Sequence, residues 1–313
     1  MTALTLFEQQ ALVSDARTLA VMGGLMTSEL TRVIPFKNVD GGAHVFVQDD
    51  ELPTADFRAF DESNEDSIGS SKPQAETVKI FGKDIKTDSS KLAMFGPGAH
   101  RRAVDQAIRA MRLRIEDLFI NGNFTAPNPR HFDGLKKRLP TGSSQCVLNH
   151  PSAGAPSLAA FDEVLDAVDA APGDKMLIVP KSIRRQLSAA MRSPTLAGNI
   201  NLRPDEFGKQ TMYYGEARVI VTDVNNRKQV IQDYTDANST TSIYAVAFGD
   251  GMLCGIQGRS RLGGPYGVES YDVGEMHVTP TFLTRIVWHL SMVMENERAA
   301  ARLANITNAA IVA

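Results

Sequence analysis

The sequence predicts an α+β protein, and three observations carry that expectation. An unbroken amphipathic pattern runs over 97–122. Helix and short apolar strand signals alternate between 157 and 256. Period-two alternation fills Val278–Met294. At 313 residues and a usual ~100–200 residues per domain, the chain is two domains or one elaborated one. Hydrophobic content of 43 % and charged content of 22 % suit a chain that buries a sizeable core. A net charge of −3 disfavours a dedicated nucleic-acid binder, which shows a strong basic excess.

In chain order, residues 1–33 read as helical. Thr5 and Glu8 have capping-box spacing, Leu12, Leu19, Met22 and Met26 continue an apolar face, and Gly23-Gly24 are expected to interrupt it. The helix packs on its own core or, alternatively, is an arm on a neighbouring subunit. From Gly41 the texture changes. Strand candidates Ala43–Gln48 and Thr77–Phe81 flank a long connection in which the Gly69–Pro73 segment marks loop. That connection carries Asp49, Asp50, Glu51, Asp56, Asp61, Glu62, Glu65 and Asp66 against one arginine, Arg58. It buries too little to be a domain, so it is a solvated flap or an arm ordered by a neighbour.

The helix 97–122 places Val104, Ile108, Met111, Ile115 and Leu118 on one stripe, opens at Pro97 and closes at Gly122. At about 1.5 Å per residue it is a rod roughly 35 Å long. Arg101, Arg102, Arg109, Arg112 and Arg114 outnumber Asp105, Glu116 and Asp117 on it. They form a solvated face or a loose, salt-sensitive contact with phosphates. Residues 141–157, rich in Ser, Gly and Pro, read as a linker. Beyond it come a helix over 158–171, a strand Lys175–Pro180, a helix through Met191, a loop over 192–208, a hairpin at 210–222, and strands Ile243–Phe248 and Met252–Ile256. These form an α/β unit with a mixed sheet. After the long strand, Glu297–Ala304 reads as a short helix.

Catalytic, cofactor and metal signatures are lacking. No GxxxxGK[ST], GxGxxG helix opening, GxSxG, HxH or HExxH pattern is present. Cys146 and Cys254 belong to no CxxC pair. No apolar run approaches ~18 residues, and the start has no secretory pattern, so the expected location is a cytoplasm. The features present are ones that call for a neighbouring molecule.

Their order resembles tailed-phage major capsid proteins of the Hong Kong 97-type fold. The landmarks are Ile34-Pro35-Phe36, Leu52-Pro53, Phe119-Ile120-Asn121-Gly122, Phe132–Leu139, Asp205–Gly208 and Ala301–Thr307. The resemblance spans about residues 4–308, and the ordered set, not any single motif, is specific. It implies an N-terminal arm (1–40), an extended E-loop (41–95), a peripheral P domain with the spine helix (96–150), an axial A domain (151–265), and a return to the P domain (266–313). The implied function is a non-enzymatic subunit that self-assembles into hexamers and pentamers of an icosahedral head holding phage double-stranded DNA. The E-loop acids would meet a neighbouring subunit, and Arg101, Arg109 and Arg112 would face the DNA. The implied partners are scaffolding and portal proteins, with a decoration protein as a further option. No cofactor or membrane is implied, and the location is the virion, with host cytoplasm during assembly. A scaffolding segment, present before the arm in some relatives, is expected to be separate or removed. The alternatives are a nanocompartment shell of the same fold, favoured by a helical 5–30 segment, and an α/β enzyme with a cleft in 151–265. The apolar stripe of 97–122 is expected to pack on the strand near Ile286–Met294.

Overall fold

The computed structural model describes residues 3–51, 53–63, 66–125, 130–171, 174–193, 198, 200–204, 208, 210–259 and 267–312. The arm begins with a two-residue strand β1 (Leu4–Thr5) and continues as three short helices, α1 (Leu6–Gln10), α2 (Ala16–Leu25) and α3 (Glu29–Val33). Thr5 and Glu8 form the anticipated capping box. Leu12 is exposed, so the apolar face is carried by Leu6, Val21, Met22, Leu25 and Leu30. The glycine pair does not end α2. Gly24 permits a close crossing over the spine helix, because a Cβ there would lie 2.5 Å from Ile108 Cγ2.

The spine helix α5 (Gly98–Asn121) follows α4 (Ser89–Phe95). Ile108, Met111, Ile115 and Leu118 are buried as the spacing requires, with Val104 partly buried. Its principal neighbours are α2 and the strand β5 (Lys79–Asp88), not the long C-terminal strand β14 (Thr281–Met294), which corrects the expected packing. β5 is hydrogen-bonded along β14 from Asp88 opposite Thr281 to Lys79 opposite Leu290, and it lies against the helix. The helix ends where Gly122 meets Gly134. A Cβ on Gly122 would lie 2.4 Å from both Leu118 O and Phe132 O, and Gly134 N donates to Gly122 O at 2.9 Å. Helix α6 (Leu135–Arg138) starts at that contact.

Two sheets organise the rest. The six-stranded sheet runs β1, β2 (Pro35–Val39), β12 (Leu253–Gly258), β14, β13 (Val268–Glu275), with β5 also on β14. At Leu290 the two partners are Lys79 and Gln257, and at Trp288 they are Phe81 and Val268. β12 and β13 therefore follow one another along the edge of β14 opposite β5. The buried Trp288 ring stands 5.0 Å from Phe36, and its Nε1 donates to Gln257 Oε1 at 3.2 Å. The seven-stranded mixed sheet runs β6 (Cys146–Leu148), β15 (Ala300–Ile306), β11 (Thr241–Ala247), β7 (Lys175–Pro180), β10 (Ala217–Thr222), β9 (Gln210–Tyr214), β8 (Ile200–Pro204). Helices α7 (Leu158–Asp166) and α8 (Lys181–Ala190) cover it.

Several expected boundaries move. Ala300–Ile306 is a strand rather than helix, because Ala300, Ala301, Leu303 and Ala304 are buried between β6 and β11. Alanines fit a strand packed on both faces. Residues 146–148, within the expected linker, pair in parallel with β15. β12, expected in the second unit, joins the six-stranded sheet, while β15, expected in the first, joins the seven-stranded one. Residues 260–266, which hold the expected 265/266 boundary, lie outside the described residues.

Candidate assembly surfaces

The third sheet is a two-stranded ribbon of β3 (Ala43–Glu51) and β4 (Ser70–Thr77). The Gly69–Pro73 segment is thus mostly strand, with Pro73 opposite Val47. A proline is tolerated there because a two-stranded ribbon has two open edges. Each ribbon strand spans roughly 27 Å at ~3.4 Å per residue, and residues between them form the tip.

Asp56, Asp61, Glu62 and Asp66 lie in this tip and are exposed. Asp56 accepts from Phe57 N at 2.7 Å and Glu62 from Ala59 N at 3.0 Å, while Arg58 donates to Glu62 O at 3.0 Å. These acids shape the loop as well as charge it. Asp49, Asp50 and Glu51 are in β3, but their side chains, and the whole of Glu65, lie outside the described residues. The sequence reading missed the aromatic content of the tip. Phe57 and Phe60 are 102 % and 99 % exposed, and Ile68 is 92 % exposed. Val45 and Val47 add an open apolar face to the ribbon. The available signal was two phenylalanines inside an acidic, solvated run. Contiguous exposed apolar side chains on a strand ribbon mark an association surface.

The root of the ribbon is held electrostatically. Arg138 bonds Glu76 at 2.5 Å and Met292 O at 2.9 Å. Glu295 accepts from Lys37 at 3.2 Å and Gly251 N at 2.8 Å, and its other contact, with His44 Nε2, is 2.7 Å. Burial pushes the Glu295 carboxyl up, but His44, Lys37 and the Gly251 amide outweigh it and hold the group below its ordinary value. Lys37 also reaches Asp250 at 2.8 Å.

The arginine face of α5 divides. Arg101, Arg102 and Arg109 are exposed. Arg112 is only partly exposed and is bonded to Thr27 Oγ1 of the arm, with its Nε 3.8 Å from Glu116. Arg114 pairs with Asp117 at 2.6 Å. Of the three candidate DNA-facing residues, Arg101 and Arg109 are open and Arg112 is an internal tie. Among the described residues no ion pair joins Asp105 to Arg109.

A cleft of about 910 Å³ opens between α3, α5, α8 and β10. Its ionisable groups pair with one another. Lys181 meets Asp223, Ser182 meets Tyr234 Oη at 2.7 Å, and burial pushes the Glu116 carboxyl above its ordinary value. Convergent, unpaired groups of the kind that would act on a substrate are not seen there. Among the described residues, no three His, Cys, Asp or Glu side chains are placed to hold a metal ion, and no helix is long and apolar enough to cross a membrane. Cys254 is buried, which pushes its thiol up to about 12.

Residues 25–244 match the family described as SU10 major capsid protein, a span that contains the ribbon, the spine helix and most of the lobe. The chain belongs to the SU10 major capsid protein family. No curated protein matches the sequence. Solved structures of similar fold include the holo-SrpI encapsulin complex of Synechococcus elongatus PCC 7942, at TM-score 0.64 and 15 % identity over 91 % of this chain and 89 % of that one. The capsid of the empty GTA particle gives TM-score 0.62 and 10 % identity, covering 90 % of each chain. Mycobacterium phage Bobi gives 0.60 and 10 %, covering 88 % of this chain and 89 % of that one. At such identities the likeness speaks to fold. It is the Hong Kong 97-type capsid fold, and the α+β expectation holds. As a tailed-phage major capsid protein, the chain is a structural subunit that self-assembles into a shell. The open ribbon and the arm are then its surfaces for self-association.

Proposed function

We propose that this major capsid protein assembles as hexamers and pentamers of a closed icosahedral head around double-stranded DNA. The six-stranded sheet with α5 acts as the peripheral domain. The seven-stranded lobe points at the five-fold and pseudo-six-fold axes, and the ribbon is the E-loop that lies over an adjacent subunit. The observation that carries this is the tip, whose Phe57 and Phe60 touch nothing of their own chain. Such groups need burial elsewhere, and repeated contacts between identical subunits supply it. Arg101 and Arg109 face the packaged DNA through non-specific phosphate contact. Scaffolding and portal proteins are the expected partners, a decoration protein a further one, and the role involves no catalysis. The location is the virion, with host cytoplasm during assembly. Deleting 54–69 tests the reading: a soluble, folded subunit that forms no closed shells by negative-stain microscopy is expected, and normal heads would refute it.

One observation favours a nanocompartment shell instead. The arm is helical in 6–10, 16–25 and 29–33, not extended. The contents of purified particles decide the matter: nuclease-protected nucleic acid supports the head, and enclosed protein alone supports the compartment.

A further inference from the structure

Helix α4 has an unusual property for a helix inside a domain: none of its side chains is buried. Met94 is 79 % and Phe95 73 % exposed, immediately before the Gly96-Pro97 break that opens α5. A seven-residue helix has little stability of its own, so its apolar side chains are expected to be covered in the working state. Lys91 on α4 and Arg102 in the first turn of α5 are exposed beside them. Among the described residues, neither has a carboxylate partner. This elbow is therefore apolar at its centre and uncompensated positive around it.

The ribbon tip is the complementary surface: exposed Phe57, Phe60 and Ile68 set among Asp56, Asp61, Glu62 and Asp66. It does not reach its own elbow. β5 carries the chain roughly 33 Å from the ribbon's root to α4, and both surfaces are bare in the single chain. The large cleft is a poorer receptor, because its rim includes Glu29, Glu116, Asp223 and Asp233, which would repel the acidic tip.

Resting on the shell reading above, we propose that the ribbon tip of one copy docks on the α4–α5 elbow of a second copy. Phe57 and Phe60 pack against Met94 and Phe95, and Asp61 and Asp66 lie opposite Lys91 and Arg102. Such a contact is heterologous, so it propagates from subunit to subunit until a ring or shell closes.

Two measurements test this on the full-length chain. In the first, Lys91→Glu with Arg102→Glu is expected to abolish shells while leaving the subunit folded by circular dichroism. Adding Asp61→Lys and Asp66→Arg is expected to restore them. In the second, Phe60→Cys with Met94→Cys, in a Cys146→Ser, Cys254→Ala background, is expected to give intermolecular disulfide ladders in oxidised particles. Each single cysteine variant should give none. Shells that survive the Lys91 and Arg102 reversal, or a ladder formed by Phe60→Cys with Leu202→Cys at the cleft instead, would overturn the docking while leaving the shell reading intact. Failure of the unmodified chain to form any shell would overturn the shell reading itself.

Discussion

Gly24 on α2 lies so close to Ile108 on α5 that a Cβ would stand 2.5 Å from Cγ2. The helical arm is thus keyed to the spine at a point where only hydrogen fits. Gly24→Ala is expected to cost about 1–3 kcal/mol by overpacking, read as a lowered thermal midpoint, with faster proteolysis of residues before 30. Ile108→Val in the same chain should recover part of the loss. Independent, additive effects of the two changes would show that the contact is not what limits stability.

Gln257 joins four segments. Fully buried, it accepts from Trp288 Nε1 and donates to Gln9 Oε1 at 3.2 Å and Asn38 Oδ1 at 2.8 Å. Gln257→Leu keeps the volume but strands the indole N–H, at a cost of about 1–3 kcal/mol. The denaturant midpoint should fall while the slope of the transition stays unchanged. A midpoint equal to that of the original chain would rule out the network as a stabilising element.

The Glu295 hub gives a pH dependence with a definite sign. Its folded-state carboxyl is held below the ordinary 4.5, as is that of Asp250 below 3.8. Each contributes stability that is present above its ordinary value and is lost as pH falls through the lower native one. Glu116, raised by burial, works the other way, favouring the folded state as it protonates. Urea melts should therefore show stability lost below about pH 4.5. Glu295→Gln should flatten that fall in proportion to its share. An unaltered acid limb in this variant would assign the loss to other carboxylates.

Arg109 is the clean probe of the interior face, since it is exposed and carries no recorded ion pair, unlike Arg112. Arg109→Glu is expected to leave particle yield unchanged while lowering the DNA-filled fraction, measured by gradient sedimentation. DNA retention should also become more salt-sensitive. Loss of assembly with folding intact would instead make this face a subunit contact.

Much of the framework was legible in the sequence because local pattern and tertiary environment agreed there. The stripe of α5 gave a helix, the apolar run Lys175–Pro180 a buried strand, and the glycine turn at 215 a hairpin. The strand Ala300–Ile306 was hidden because alanines read locally as helix, and only the flanking strands β6 and β11 impose extension. Ser70–Thr77 was hidden by Pro73, which disfavours a central strand but not an open ribbon. At the tip, eight carboxylates masked Phe57 and Phe60, and the charge was read while the apolar surface was not. The division of the arginines was unreadable as well, since helical spacing cannot show that Arg112 turns to Thr27 on another helix.

The C-terminal strand has a consequence for biosynthesis. β6, near the middle of the chain, is hydrogen-bonded only to β15, and β11 takes β15 as its second neighbour. The lobe therefore cannot close its sheet until nearly the last codon has been translated, however early the spine and arm condense. A chain stopped before Ala300 should remain insoluble. Nascent subunits still on the ribosome are in effect withheld from polymerisation, and a growing lattice receives only finished copies.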